Sequence, residues 1–354
     1  MLQRLKNWFF LLLSGSLLIS TSAFTQVEKE LEEVTITSEQ VFWVYPRKQA
    51  NVLDFILQPN DGILLCCSDQ NRYFVRELNA GGEKIFETPI RRNPEILFRD
   101  CMERIHLVYS DSIYETYSTD RSLALFQAQP TDFFQLLLSL VYKDSQTLIK
   151  RSYSNLDQRI EFRMIDIPTK TEKLLYLAED RSKANELQTY KAENKLDPTA
   201  LMSSNAKDLS IARRRWDNLR FYEQVLGKPV YIPLFELNDS LIVFDHLNDS
   251  AVVFSKSGRY VRSFPISYQY FDGWKKELIP NIEKTAIYAR FEQDGFTSLR
   301  KIDLITGKPA EAVIIKGHIY PEHIQIRKDF IYYLSKDYLD RSMHYIFRQH
   351  LTTR

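Results

Sequence analysis

The chain is poor in the residues that most often build a catalytic or metal centre. Among 354 residues there are three cysteines and six histidines. Cys66, Cys67 and Cys101 cannot complete a paired disulfide framework, and adjacent Cys66 and Cys67 project to opposite faces of any strand that carries them. One bridge from Cys101 to either neighbour stays open as a reading, beside burial of all three as small hydrophobes. They do not supply the three or four spaced N or S ligands of a zinc site. The histidines form neither H-x-H nor H-E-x-x-H, so a metallopeptidase is not indicated. No G-x-S-x-G elbow occurs, and no stretch remains for a separate α/β-hydrolase domain. A charge surplus is missing too: 47 Lys and Arg face 46 Asp and Glu, without the concentrated basic surface that nucleic acid requires. Beyond the N-terminal segment no apolar run reaches the roughly 20 residues of a membrane span.

Aromatic residues are abundant instead. Twenty Tyr and 22 Phe against 10 Gly favour pleated, half-buried strands. The N-terminus has its own pattern: Arg4 and Lys6, an apolar run from Trp8 to Ile19 broken at Ser14–Ser16, then small residues to Ala23. That order predicts a signal peptide over residues 1–25, cleaved near Ala23 to Gln26, and a mature protein that is periplasmic, extracellular or on the cell surface.

From residue 40 onward, short apolar segments recur with turn residues between them. The clearest unit, SLIVFDHLNDSAVVFSKSGRYVRSFPI at 240–266, reads as strand, turn, strand, turn, strand. Its last two strands have counterparts starting at Arg72, Ser112, Ile160 and Thr297, and half a counterpart at Met343. Most successive units begin about 40 to 48 residues apart, the period of four-stranded propeller blades. The reading is an all-β, six-bladed β-propeller spanning 26–354. Its last blade lacks a strand, for which the alternating segment EVTITS, Glu33 to Ser38, is the expected donor, closing the ring and removing exposed edges.

One interval is twice as long. Between blades 3 and 4, residues of about 180–227 change period: Leu209, Ala212, Trp216, Leu219, Tyr222 and Val225 sit three or four apart, with Gly227 as a stop. This predicts a helical insertion, with Ala184–Glu193 as a second, weaker helix. Its triple Arg213–Arg215 could face an anionic ligand, though a solvated helix face is the plainer reading.

The stretch PLFELNDSLIVFDHLNDSAVVFSKSGRYVRSFPISY, with GWKKELI and YPEHIQIRKDFIYYL after it, resembles a family of uncharacterised exported six-bladed β-propellers of bacteria, distantly similar to NHL-type propellers. The resemblance implies fold and export, and implies no reaction.

No catalytic residue, metal ligand or cofactor emerges from the pattern. Asp111, Asp239, Asp245 and Asp249 fall at strand ends where a channel metal could draw on them, although Asp before Ser commonly makes a turn. For binding, Asp245 and His246 at a hairpin tip, and Trp274, Lys275 and Lys276 in the loop that follows, combine aromatic and charged groups on a rigid scaffold. The expected role is that of a binding module for a protein or glycan partner, with a metal-dependent hydrolase or lactonase of the central channel as the alternative.

Overall fold

The structure, a computed structural model, describes residues 41–45, 50–70, 72–119, 121–126, 128–155, 157–193, 205–226, 228–336 and 343–351. The chain divides into two units, 1–39 and 40–354, and the first lies outside the described residues. The predicted signal peptide and the EVTITS segment fall there.

Six antiparallel sheets succeed one another along the second unit, each a meander, and together they form a six-bladed β-propeller. Blade 1 is β2 (Asn51–Leu57), β3 (Ile63–Asp69), β4 (Arg72–Leu78) and β5 (Lys84–Ile90). Blade 2 is β6 (Ile96–Arg99), β7 (Ile105–Val108) and β8 (Ser112–Ser118), with an outer strand split into β9 (Leu123–Leu125) and β10 (Gln129–Pro130). Blade 3 is β11 (Leu140–Lys143), β12 (Thr147–Ser154), β13 (Arg159–Asp166) and β14 (Glu172–Glu179). Blade 4 is β15 (Leu234–Leu237), β16 (Ser240–Asp245), β17 (Ser250–Ser255) and β18 (Tyr260–Pro265), and blade 5 is β19 (Trp274–Pro280), β20 (Ile287–Gln293), β21 (Phe296–Ile302) and β22 (Pro309–Ile314). Blade 6 joins β23 (Glu322–Arg327), β24 (Phe330–Lys336) and β25 (His344–His350) to β1 (Val41–Trp43).

An N-terminal strand therefore closes the ring, and it is Val41–Trp43: Val41 pairs with Gln349 and Trp43 with Phe347. Trp43 packs on Tyr345 and Phe347, with ring centroids 5.1 and 4.5 Å away. Those rings give so short a strand a grip that three residues of backbone pairing would not.

Blades face each other, so their middle strands are covered on both sides and lose the in–out alternation of a one-sided sheet. In β16 every residue from Leu241 to Asp245 is buried, whereas Tyr260 and Val261 on the outer β18 are exposed. The core is correspondingly a ring of separate clusters. Leu57, Leu65 and Phe55 of blade 1 meet Tyr332, Leu334 and Ile346 of blade 6, and Phe244 and Ala251 of blade 4 meet Ile287 and Phe291 of blade 5. Each leucine, isoleucine or phenylalanine among them contributes about 1.5–3 kcal/mol when fully buried.

The first strands of neighbouring blades touch, β2 with β6 and β23, β11 with β15, and β19 with β23, so these strands line the central channel. Between blades 2 and 3 a helix not foreseen from the sequence, α1 (Thr131–Ser139), supplies Phe133, Phe134 and buried Leu137 to a small cluster with Val108 and Ile113.

The insertion between blades 3 and 4 is helical. It comprises α2 (Arg181–Glu193) and α3 (Ala206–Leu226). Asp180 caps α2 by accepting the Lys183 N–H at 2.9 Å, and Asn205 caps α3 by accepting that of Lys207 at 3.0 Å. Ala184, Leu187 and Ala212 are buried, while Arg213, Arg214 and Arg215 are exposed. Among the described residues no helix is long and apolar enough to cross a membrane.

Candidate functional site

Of the five residues picked from the sequence, His246 and Trp274 meet where blade 4 faces blade 5, Lys275 and Lys276 follow along the same strand, and Asp245 turns toward blade 3. Asp245 ends β16 and is wholly buried. Its carboxylate accepts the Tyr176 hydroxyl of blade 3 at 2.6 Å, the backbone N–H groups of Leu247 and Asn248 at 2.9 and 3.1 Å, and the Asn248 side-chain amide at 2.7 Å. It ties two blades and shapes a turn. Trp274, Lys275 and Lys276 lie on β19 rather than in a loop, where pairing is irregular between Trp274 and Leu278. Lys275 pairs with Glu292 at 3.2 Å, and Lys276 is exposed at φ 52°.

His246 is the hub of an aromatic group that the sequence pattern did not assemble. It stacks on Tyr231 (5.4 Å, 29°) and lies 4.8 Å from Trp274 and 5.5 Å from Tyr268. Its Nδ1 is 2.6 Å from the Tyr231 carbonyl, which can only accept, so Nδ1 carries the proton; Nε2 then accepts the Tyr268 hydroxyl at 2.8 Å. Both nitrogens are satisfied in the neutral ring. Burial holds the imidazole neutral and lowers its pKa to about 4, against the weaker pull of the Tyr231 carbonyl, Asp245 and Asp249.

This has a measurable consequence. The unfolded chain binds that proton with ordinary affinity while the folded chain resists it, so the stabilisation is complete above about pH 6.5 and is lost as pH falls toward 4. The loss by pH 4 is on the order of 3 kcal/mol. His323 works in the opposite sense: its hydrogen bond with Asp54 raises its pKa, so its contribution is present below the ordinary value and fades as pH rises. The expected result is therefore a difference: between pH 7 and 4.5, His246→Gln loses less stability than wild type, measured by denaturant unfolding. Equal slopes would refute the assignment.

Tyr231 connects this group to the channel. A cavity of about 530 Å³ there has Phe98, Leu138, Val141, Tyr231, Leu234 and Leu278 in its walls. That size suits a small ligand or an inserted side chain. Arg99, Glu103, Glu236 and Lys284 also line it. Lys284 of blade 5 contacts Glu103 of blade 2 at 2.7 Å and Glu236 of blade 4 at 3.0 Å, and Lys256 contacts Glu236 at 2.8 Å and Asp239 at 3.0 Å. Blades 2 and 5 stand opposite each other in a ring of six, so the Lys284–Glu103 pair bridges the channel. Both side chains are 43% exposed, and a pair of that kind contributes no more than about 1 kcal/mol, so the bridge acts chiefly by occupying space and charge. Burial alone would raise the Glu236 pKa, but the hydrogen bonds from Lys256 and Lys284 outweigh it and hold the carboxyl below its usual range.

The four aspartates considered as channel ligands do not converge. Asp111 pairs with Arg92, which with Ser112 brings its pKa down to about 2. Asp239 forms a two-residue turn with Asn238, both at positive φ, and Asp249 accepts the Tyr270 hydroxyl and the Gln269 amide. Among the described residues no group of three His, Cys, Asp or Glu is placed to hold a metal ion. The three cysteines are free; Cys66 and Cys67 are buried on β3, and burial pushes the Cys66 thiol up to about 12.

No family model matches the chain, and no curated protein does. Solved structures that align with it include a luciferin-regenerating enzyme (8% identity, 87% of this chain and 94% of that one, TM-score 0.37) and virginiamycin B lyase from Staphylococcus aureus (8% identity, 89% of each chain, TM-score 0.32). Similarity at this level carries no argument about chemistry. The blade count rests on the sheets themselves.

Proposed function

We propose that the chain is a binding module that works outside the cytoplasm and recognises a protein or glycan partner. The observation that carries this reading is the use to which the channel carboxylates are put. Glu103 and Glu236 converge toward the axis as a catalytic metal site would require, yet Lys284 and Lys256 neutralise them from within the fold. Asp245 and His246 are likewise consumed by structural hydrogen bonds. The channel cavity, with Phe98, Val141, Tyr231 and Leu278 among its walls, remains for recognition.

Two measurements on the purified protein test this. Thermal unfolding with and without millimolar Ca²⁺ or Mn²⁺ is expected to show no metal-dependent rise, and a lactone and ester panel no turnover. A metal-dependent rise together with lactone hydrolysis would replace the reading with the channel hydrolase. Expression of the whole chain in a bacterial host, followed by fractionation and N-terminal sequencing, is expected to give a mature protein that begins between residues 24 and 27 outside the cytoplasm.

A further inference from the structure

Blade 5 carries a second cavity, of about 490 Å³, where the turn after β20 approaches Phe271 and the end of β22. Its apolar side is Phe271, Phe291, Phe296 and Ile314. Phe296 is 55% exposed and Ile314 51%, and Tyr320, whose ring lies against Gly295 beside Phe296, is 58% exposed. Large apolar side chains standing together in solvent mark an interaction surface more often than a folding requirement.

The polar side of this groove distinguishes it from the channel. Asp272, Gln293, Asp294, Ser298 and Arg300 line it, and none of these side chains has a hydrogen-bond or ion-pair partner among the described residues. Arg300 lies over the Phe271 and Phe291 rings, 5.4 and 5.6 Å from their centroids, which fixes its plane while leaving its N–H groups to be taken up. At the channel Glu103, Glu236, Lys256 and Lys284 are matched to one another inside the protein; these groove side chains are not.

We propose that the blade 5 groove binds a neutral oligosaccharide. Two carboxylates that only accept, a guanidinium that only donates and an amide that does both stand around exposed aromatic faces. A single ligand meets all of them when it has apolar C–H faces and hydroxyls that both donate and accept, which describes a sugar ring. A cationic peptide side chain would pair with the aspartates and leave Arg300 unmatched, and an anionic sugar would face two carboxylates against one guanidinium. The inference rests on the binding-module reading and adds to it a ligand class at a second place, apart from the channel cavity.

The test uses the full mature protein on an array of immobilised neutral oligosaccharides, charged oligosaccharides and peptides, followed by calorimetric titration of the best-retained soluble oligosaccharide. Retention is expected on neutral oligosaccharides. Phe296→Ala is expected to weaken binding about tenfold or more with an unchanged unfolding midpoint, because the ring is exposed and its removal leaves no cavity. Asp294→Asn should weaken it as well. No retention on neutral oligosaccharides, retention of peptides or charged sugars only, or affinity indifferent to both substitutions would overturn the proposal. Binding that persists elsewhere on the molecule removes the groove and leaves the binding-module reading in place, whereas metal-dependent lactone turnover removes that reading.

Discussion

Gly307→Ala is expected to destabilise the propeller by about 3–5 kcal/mol, read as a lower denaturant midpoint at unchanged m-value. Gly307 lies in the turn between β21 and β22 at φ +70°, a conformation that costs other residues about 1–2 kcal/mol. The larger cost is contact: a Cβ there would overlap the carbonyl oxygen of Pro265, the last residue of β18 in blade 4. Backbone stands on both sides, so no side-chain rotation relieves the overlap, and blades 4 and 5 have to separate. The same junction carries the Arg262 guanidinium bonded to the Leu304 carbonyl at 2.5 Å, which the separation would strain. Gly317→Ala is the control. Its φ is +75° with nothing within 4 Å of the added carbon, so only the conformational cost applies, about 1–2 kcal/mol. If the two substitutions cost the same, the blade 4–5 contact is not rigid.

Asp245→Ala is expected to cost a similar amount, about 3–5 kcal/mol, by a different route. The substitution strips the buried carboxylate from the Tyr176 hydroxyl and two backbone N–H groups, while the amide of exposed Asn248 can turn to water. Tyr176→Phe removes only the link between blades and should cost about 1–2 kcal/mol. The ordering of the two variants is the decisive result. If Tyr176→Phe proves as harmful as Asp245→Ala, the carboxylate's role is the blade 3–4 link alone; if Asp245→Ala is nearly neutral, the site is wet.

The blades were legible because each is built from local hairpins. Asn238 and Asp239 turn β15 into β16, and the apolar run before and after them needs only its own neighbours to pair. The insertion was legible for the same reason, since the spacing of Leu209, Ala212 and Trp216 is a property of one helix. The closing strand was not. Glu33 to Ser38 has cleaner alternation than Val41–Trp43, but the pairing seen with β25 is decided by the geometry of the closed ring and by the rings of Tyr345 and Phe347. The helix α1 was hidden because Phe133, Phe134, Leu136, Leu137 and Leu138 form an apolar run that strand and helix share.

The arrangement around the candidate residues was hidden for a related reason. Asp245 reads as a turn residue, and it does shape a turn; its hydrogen bond across to blade 3 comes from Tyr176, which is 69 positions away. Glu103 and Lys284 come from blades on opposite sides of the channel, and no local pattern in the chain announces that they meet. Aromatic residues such as Tyr231 and Phe296 look alike in composition, one in the wall of the channel cavity and the other open to solvent.

The pairing of Val41 with Gln349 also has a bearing on time. During synthesis five sheets can be completed in order as their strands emerge, but the sixth needs its first-made strand to wait for its last-made one. Until then the β25 edge is absent, β24 has an open side, and the apolar faces of blades 1 and 6 have no cover. A chain stalled or cleaved just short of residue 344 would keep five sheets and lack a closed circle, and its exposed strand edges and uncovered cluster would make it a substrate for chaperones and proteases.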